Sequence, residues 1–365
     1  MLHQRLFGLV CRIAPSTLII PFLGINAPLA DSSITTQRAV TRLAEGIYEI
    51  RHPDAPDTFP QGNTTVIIGA RAVLVVDSCL LPSSARKDIE QIRGWTKLPV
   101  TYLVNTHWHF DHTLGNATYA AAFPSIQIVA QASTRDIIAA FNPGAVSRYP
   151  DRAERFKKVL DSGKNPDGRP LTDGERRDYE RSLAGLAPVV AEMKNAVQLV
   201  PNVAYSQEMD IDLGGRLVQL RFLGPGNTSG DTIVYLPAEK ILITGDLLDY
   251  PVPYFFGGLP LNFPHTLRAM AELDAKTIVP GHGEVLKSKD YIYQVIDLLN
   301  AVNREVEREI NGGRTLEEVQ EEAPKALDAA AWRRKFAGES TEDGDFFDQS
   351  FAALIKASYN QIRLR

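Results

Sequence analysis

The sequence predicts an α/β fold in which short buried strands carry polar residues to one shared edge, and three observations support it. Val100-Thr101-Tyr102-Leu103-Val104-Asn105 is a β-branched and aromatic run that reads as a buried strand. It leads directly into Thr106-His107-Trp108-His109-Phe110-Asp111-His112. Upstream, antiparallel strands and a helix precede that run and complete a strand, helix, strand unit. Downstream, more short strands lead to Asn227, Asp246 and His282. Polar residues just past several strand ends are what one convergent site in α/β layers requires.

The elements follow in order. Gly46 to Ile50 reads as a strand, and Thr64 to Ile68 with Ala72 to Val76 reads as a hairpin turning at Gly69-Ala70-Arg71. Pro82 to Trp95 is a helix with Pro in its first turn. After the ligand-rich stretch, Gly115 to Phe123 and Ala132 to Phe141 are helical, with a strand Ile126 to Val129 between them. From Pro143 to about Asn195 Arg, Lys, Asp and Glu dominate, interrupted by Gly163-Lys164-Asn165-Pro166-Asp167-Gly168, which predicts two charged helices joined by a turn. Such an insert can cover a site and shape access to it. Leu217 to Leu223 and Thr232 to Leu236 are strands flanking the Asn227 loop, Ile241 to Thr244 leads to Asp246, and Thr277 to Val279 leads to His282. Beyond Lys287 apolar residues recur at helical spacing, first Ile292, Val295, Leu298 and Leu299, then Phe346, Phe347, Phe351, Leu354 and Ile355. Core packing is the ordinary use of such stripes.

The 365 residues carry a net charge of −5 spread along the chain, with 44% hydrophobic content, enough for a sizeable core. No basic patch or stacking platform for nucleic acid is visible, and no nucleic-acid partner is expected. Arg5 and Arg12, the uncharged stretch from Ile13 to Gly24 and Ala27-Pro28-Leu29-Ala30 have the layout of a secretory signal over residues 1–30. Pro15 and Pro21 argue against a spanning helix there, and no stable membrane anchor is expected. The mature chain is therefore expected to be periplasmic or secreted. Cys11 would leave with the signal, and Cys79 would remain as a packed thiol.

The chain has seven His, and three of them fall between 107 and 112. In an extended backbone His107, His109 and Asp111 share one face while His112 points away. A turn just past His109 would divide the set, giving His107 and His109 to one metal and Asp111 with His112 to a neighbouring one. Imidazole with carboxylate suits zinc, or less often manganese or iron.

This stretch resembles the metallo-β-lactamase superfamily, whose mark is His-x-His-x-Asp-His at a strand end. Val75-Val76-Asp77, Leu242-Ile243-Thr244-Gly245-Asp246 and Ile278-Val279-Pro280-Gly281-His282-Gly283 are similar to further motifs of that family. The sequence departs from it at Leu223-Gly224-Pro225-Gly226-Asn227-Thr228-Ser229-Gly230-Asp231, where Asn227 stands in place of a histidine. The resemblance implies a four-layer αββα sandwich over residues 38–290, with a helical insert at about 143–195 and a helical C-terminal extension over 291–365.

It also implies a ligand set. His107, His109 and Asn227 would hold a first metal, Asp111, His112 and His282 a second, and Asp246 would bridge them. A carboxamide is a weaker ligand than imidazole, so the second site is expected to fill first. One or two zinc ions, a metal-bound hydroxide and Asp111 as its orienting group or proton acceptor would make a hydrolase of ester, lactone, thioester or amide bonds in a small-molecule substrate. Tyr250 and Tyr254, on the loop after Asp246, are candidate donors to the developing oxyanion. Asp77 and Asp231 are expected to orient neighbouring groups. A phosphodiesterase is the nearest rival, without a basic cluster to hold phosphate. Zinc β-lactamases carry Cys or Ser where this chain has Asp246, which leaves only a weak activity of that kind. A degenerate metal- or ligand-binding protein is the reading from outside enzymology.

Overall fold

A computed structural model describes residues 37–166, 168 and 170–365. The expected signal at 1–30 lies outside the described residues. β1 (Ala39–Ala44), β2 (Ile47–Arg51), β3 (Thr64–Ile68), β4 (Val73–Val76), β5 (Val100–Val104), β6 (Gln127–Gln131) and β7 (Val203–Tyr205) lie side by side in that order as one seven-stranded sheet. β8 (Glu208–Asp212), β9 (Leu217–Arg221), β10 (Ile233–Leu236), β11 (Ile241–Asp249) and β12 (Thr277–His282) form a five-stranded sheet ordered β12-β11-β10-β9-β8. Pairing is antiparallel from β1 to β4 and parallel from β4 to β7. In the second sheet only β11 and β12 pair in parallel. Parallel steps need long crossovers, and the helices Pro82–Trp95, Phe110–Thr113, Asn116–Ala122 and those between 132 and 193 supply them in the first sheet.

Side-chain alternation along the strands builds the layers. Leu74 and Val76 point inward and join Val234, Leu236 and Ile243 of the facing sheet. Val73 and Val75 point outward and meet Ile89, Ile92 and Tyr119 of the flanking helices. Ile233 and Leu242 on the second sheet's outer face pack against Val295, Leu299, Phe347 and Leu354. The result is helix, sheet, sheet, helix, the predicted αββα arrangement. The C-terminal helices Asp290–Asn311 and Thr341–Arg363 share this outer core with the sheet. Each fully buried aliphatic residue there contributes about 1.5–3 kcal/mol.

Several elements differ from expectation. The helix starting at Ala132 runs through Pro143 to Ser147, because Val146 joins a core with Phe59, Leu114 and Tyr149 and the Asn142 amide nitrogen donates to Trp108 O at 2.6 Å and to Gln198 Oε1 at 3.3 Å. β11 continues past Thr244 to Asp249, carried by the buried Leu247 and Leu248. β1, β7 and β8 were not anticipated; they are edge or short strands with weak apolar signal.

The charged stretch forms the helices Arg152–Ser162 and Asp173–Met193, the second opened by a Thr172/Glu175 capping box. This insert packs on the segment before β3. Tyr149 donates to Asp57 at 2.6 Å, Thr58 and Ser182 hydroxyls meet at 2.7 Å, and the Phe59 and Tyr149 rings meet edge to face at 6.2 Å. No helix among the described residues is long and apolar enough to cross a membrane.

Candidate metal centre

The end of β5 is fixed before any ligand is placed. Thr106 donates from its backbone N–H to Asp77 Oδ1 at 2.8 Å and from its hydroxyl to Oδ2 at 2.7 Å. The chain then turns at His109 into a short helix, Phe110–Thr113, held by Thr113 Oγ1 donating to His109 O at 3.0 Å. That turn sends His107 and His109 one way and Asp111 and His112 the other. Asn142 fixes the same turn from outside by donating to Trp108 O at 2.6 Å.

Two clusters result. Ligand atoms of His107, His109 and Asp246 lie within 4.8 Å of one another, as do those of Asp111, His112 and His282. Asp246 joins them, its Oδ2 being 3.1 Å from His107 Nε2 and its Oδ1 3.0 Å from His112 Nε2. His282 Nε2 is 3.3 Å from Asp111 Oδ2 and 3.1 Å from His112 Nε2. His107 Nε2 and His109 Nδ1 face each other at 2.9 Å.

Close approach of backbone and ligand requires glycine at two points. A Cβ at Gly62 would lie 2.3 Å from His112 Cε1, and one at Gly281 would lie 2.0 Å from Asp246 Oδ1.

These residues fit a bound metal. Zinc–nitrogen bonds of 2.0–2.1 Å in a tetrahedron put ligand atoms about 3.3 Å apart, within the range observed here. Facing imidazole nitrogens can share at most one proton, whereas a cation satisfies both lone pairs. His112 presents Nε2 to the centre because its Nδ1 donates to Asp77 Oδ2 at 2.9 Å, the carboxylate–histidine arrangement that fixes a metal ligand's tautomer. Asp77 therefore orients, as the sequence suggested.

The electrostatics agree. Burial works to raise the Asp246 carboxyl, but His112, His107 and His282 outweigh it and hold it well below the usual range. Burial would likewise lower His112 and His282, yet the surrounding carboxylates win. Asp246, Asp111 and Asp77 push His112 well up, and Asp246 with Asp111 brings His282 to about 9. His107 is lowered, chiefly by burial. Without metal, protons on His112 and His282 would balance the buried carboxylates beside them.

Asn227 sits on a loop pinned to the ligand strand by Thr232 N–H donating to Thr106 O at 2.7 Å. Asp231 shapes that loop, accepting from Gly226 N–H at 3.0 Å and Thr228 N–H at 2.8 Å. Asn227 is 2% exposed, and neither end of its carboxamide has a hydrogen-bond partner among the described residues. A buried amide with neither end paired is costly, and a partner at its oxygen would relieve part of that cost.

The two candidate tyrosines part company. Tyr254 turns its ring edge to His109 at 5.9 Å, and burial with the nearby Asp111 and Asp246 keeps its hydroxyl protonated. Tyr250 was expected over the centre, but its ring packs on Tyr291 at 5.2 Å and is 37% exposed in the wall of a surface cavity with Leu286, Lys287 and Gln294. Packing against Tyr291 holds it there. Asp249, absent from the expected ligand set, lies with Asp246 and His282 within 4.8 Å. It went unrecognised because β11 was expected to stop at Thr244.

Among the predicted ligands only His282 has appreciable exposure, 23% of its side chain, so the centre opens on that side. Half-buried Trp108, Phe141, Tyr254, Phe256 and Phe346 form an aromatic chain from His109 outward, with contacts of 4.4 to 5.9 Å. A separate buried group, His52, Cys79 and Asp88, is neutralised by Arg38, whose guanidinium lies 2.9 Å from Asp88. Burial pushes the Cys79 thiol well up, which suits a packed residue.

A sequence model described as the metallo-beta-lactamase superfamily matches residues 57–282. A linear primary-alkylsulfatase of Pseudomonas sp. is 22% identical over 280 residues, covering 70% of this chain and 48% of its own. The lactamase-like protein aptB of Emericella nidulans is 28% identical over 97 residues, 26% of this chain and 31% of its own. The chain thus spans half or less of the length of these curated relatives. Among solved structures, a metallo-beta-lactamase from Pontibacter korlensis superposes with a TM-score of 0.52 at 17% identity, covering 72% of this chain and 99% of that one. A double mutant of the sec-alkyl sulfatase PisA1 reaches 0.58 at 14% identity, covering 89% and 50%. At these identities the likeness is one of fold.

Proposed function

The chain belongs to the metallo-beta-lactamase superfamily, and on that premise we propose that it is a zinc-dependent hydrolase cleaving an ester, lactone, thioester or amide bond in a small substrate with an apolar part. The observation that carries this reading is Asp246, whose two oxygens divide between His107 and His112 at 3.1 and 3.0 Å. A carboxylate so shared is suited to holding two cations side by side.

When bound, the ions would polarise the scissile group's oxygen and acidify a water to a pKa near 7. The chain's own residues do the rest. His107, His109 and Asn227 would hold one ion, Asp111, His112 and His282 the other. Asp77 keeps His112 in the tautomer that leaves Nε2 available. Asp111, held low by His112 and His282 against the effect of burial, is poised to orient a water or accept its proton. Tyr254, protonated and beside His109, is placed to donate to a developing oxyanion. The aromatic chain from Trp108 to Phe346 excludes water and favours an acyl or alkyl group. If the signal at 1–30 is used, the enzyme works in the periplasm or outside the cell.

The alkylsulfatase relatives favour a second reading, hydrolysis of an alkyl sulfate ester. A substrate panel separates them. Zinc-loaded protein is assayed on p-nitrophenyl acyl esters of increasing chain length, a lactone, an alkyl sulfate, bis(p-nitrophenyl) phosphate and a chromogenic β-lactam. Turnover highest on acyl esters or lactones supports the first reading. Preference for the alkyl sulfate replaces it with the second, and inertness on all of them, with metal bound, favours a binding protein.

A further inference from the structure

Asp249 ends β11, and the parallel register sets it opposite His282 on β12. Its backbone carbonyl is occupied, accepting from Tyr291 Oη at 2.5 Å. Its side chain is not. The residue is 5% exposed, and neither carboxylate oxygen has a hydrogen-bond partner among the described residues. Yet ligand atoms of Asp249, Asp246 and His282 all lie within 4.8 Å.

A buried carboxylate without a donor is costly, and a second carboxylate beside it makes it more so. Ordinary structural uses of a buried Asp, capping a helix or pairing with an Arg, supply donors that are missing here. A divalent cation removes the difficulty, since it neutralises both carboxylates and fills the lone pairs of Asp249. The donor set points the same way. At 227 the chain offers a neutral carboxamide, and at 249 it offers an extra anionic oxygen on the side of His282.

We propose that Asp249 is a ligand of the metal centre, binding the ion held by Asp111, His112 and His282. This rests on the metal-centre reading above. Three carboxylates, Asp111, Asp246 and Asp249, then face the two ions, and the second site becomes the stronger one for a reason independent of Asn227.

The test uses full-length protein stripped of metal, comparing wild type with Asp249→Asn and Asp249→Ala. Zinc affinity is read by competition with a chromophoric chelator, coordination by the visible spectrum of the cobalt-loaded form, and stability by thermal melting with and without zinc. One zinc should bind at least about tenfold more weakly in both variants, the least that loss of even an outer partner costs. The cobalt spectrum should change, and the metal-free Asp249→Asn variant should melt near the wild-type temperature, because the carboxyl it replaces has no hydrogen-bond partner to lose. If the variants keep wild-type affinity and spectrum, or if zinc binding weakens only as far as a lower melting temperature of metal-free Asp249→Asn accounts for, Asp249 is not a ligand. Failure of wild type to bind zinc would instead remove the metal-centre reading itself.

Discussion

Asp77 Oδ2 lies 2.9 Å from His112 Nδ1 and 2.7 Å from Thr106 Oγ1, so one carboxylate fixes both the strand end that carries His107 and the ring of a ligand beyond the turn. Asp77→Ala should therefore do two things. Stranding the buried donors of Thr106 and His112 should cost about 3 kcal/mol or more of stability. Zinc affinity should fall roughly 10–100-fold. Thermal melts and a zinc titration on the same sample check both, and an unchanged affinity would mean that His112 does not need this support.

Metal binding should depend steeply on pH. In the metal-free fold Asp246 and Asp111 bring His282 to about 9, above its ordinary 6.5, and the same carboxylates with Asp77 raise His112 well above it. Both gain a proton-linked stabilisation that is fully present below about 6.5 and is lost as pH rises through the folded values. Zinc must displace those protons, so affinity should fall as pH drops from 9 toward 6. Calorimetry in buffers of different ionisation enthalpy should detect proton release at pH 7; binding without it would contradict these protonation states.

Tyr254→Phe should lower kcat on the order of 10²-fold with little change in KM, as expected for a lost oxyanion donor. Tyr250→Phe should leave both near the wild-type values, since its ring packs on Tyr291. A Tyr250 effect larger than that of Tyr254 would reverse the assignment made from their contacts.

Asn227→His should strengthen the first site, because imidazole is a better zinc ligand than a carboxamide. Stepwise titration should show the two binding steps drawing closer together. If the weaker step does not move, Asn227 is not among the ligands of that ion.

Much of this was legible in the sequence because the ligands are local and their strands are β-branched. Val100 to Val104 announces a strand, and His107 to His112 follows it without a break. The division of that stretch follows from backbone period and one turn, so it needs no tertiary information. Asp249 was not legible for the opposite reason. Gly245-Asp246 looks like a strand terminator, and only pairing with β12 reveals that β11 runs on to place a second carboxylate beside His282. Tyr250 and Tyr254 are four residues apart in one loop, and no pattern says which ring turns inward. The helix running through Pro143 is a case of tertiary contacts, Asn142 with Trp108 among them, overriding a local stop signal.

The most direct test is the metal content of protein purified without added metal and again after zinc is offered. Two ions per chain at saturation, one bound more tightly than the other, is the predicted result. A chain that remains without metal in the presence of excess zinc would contradict the account at its centre.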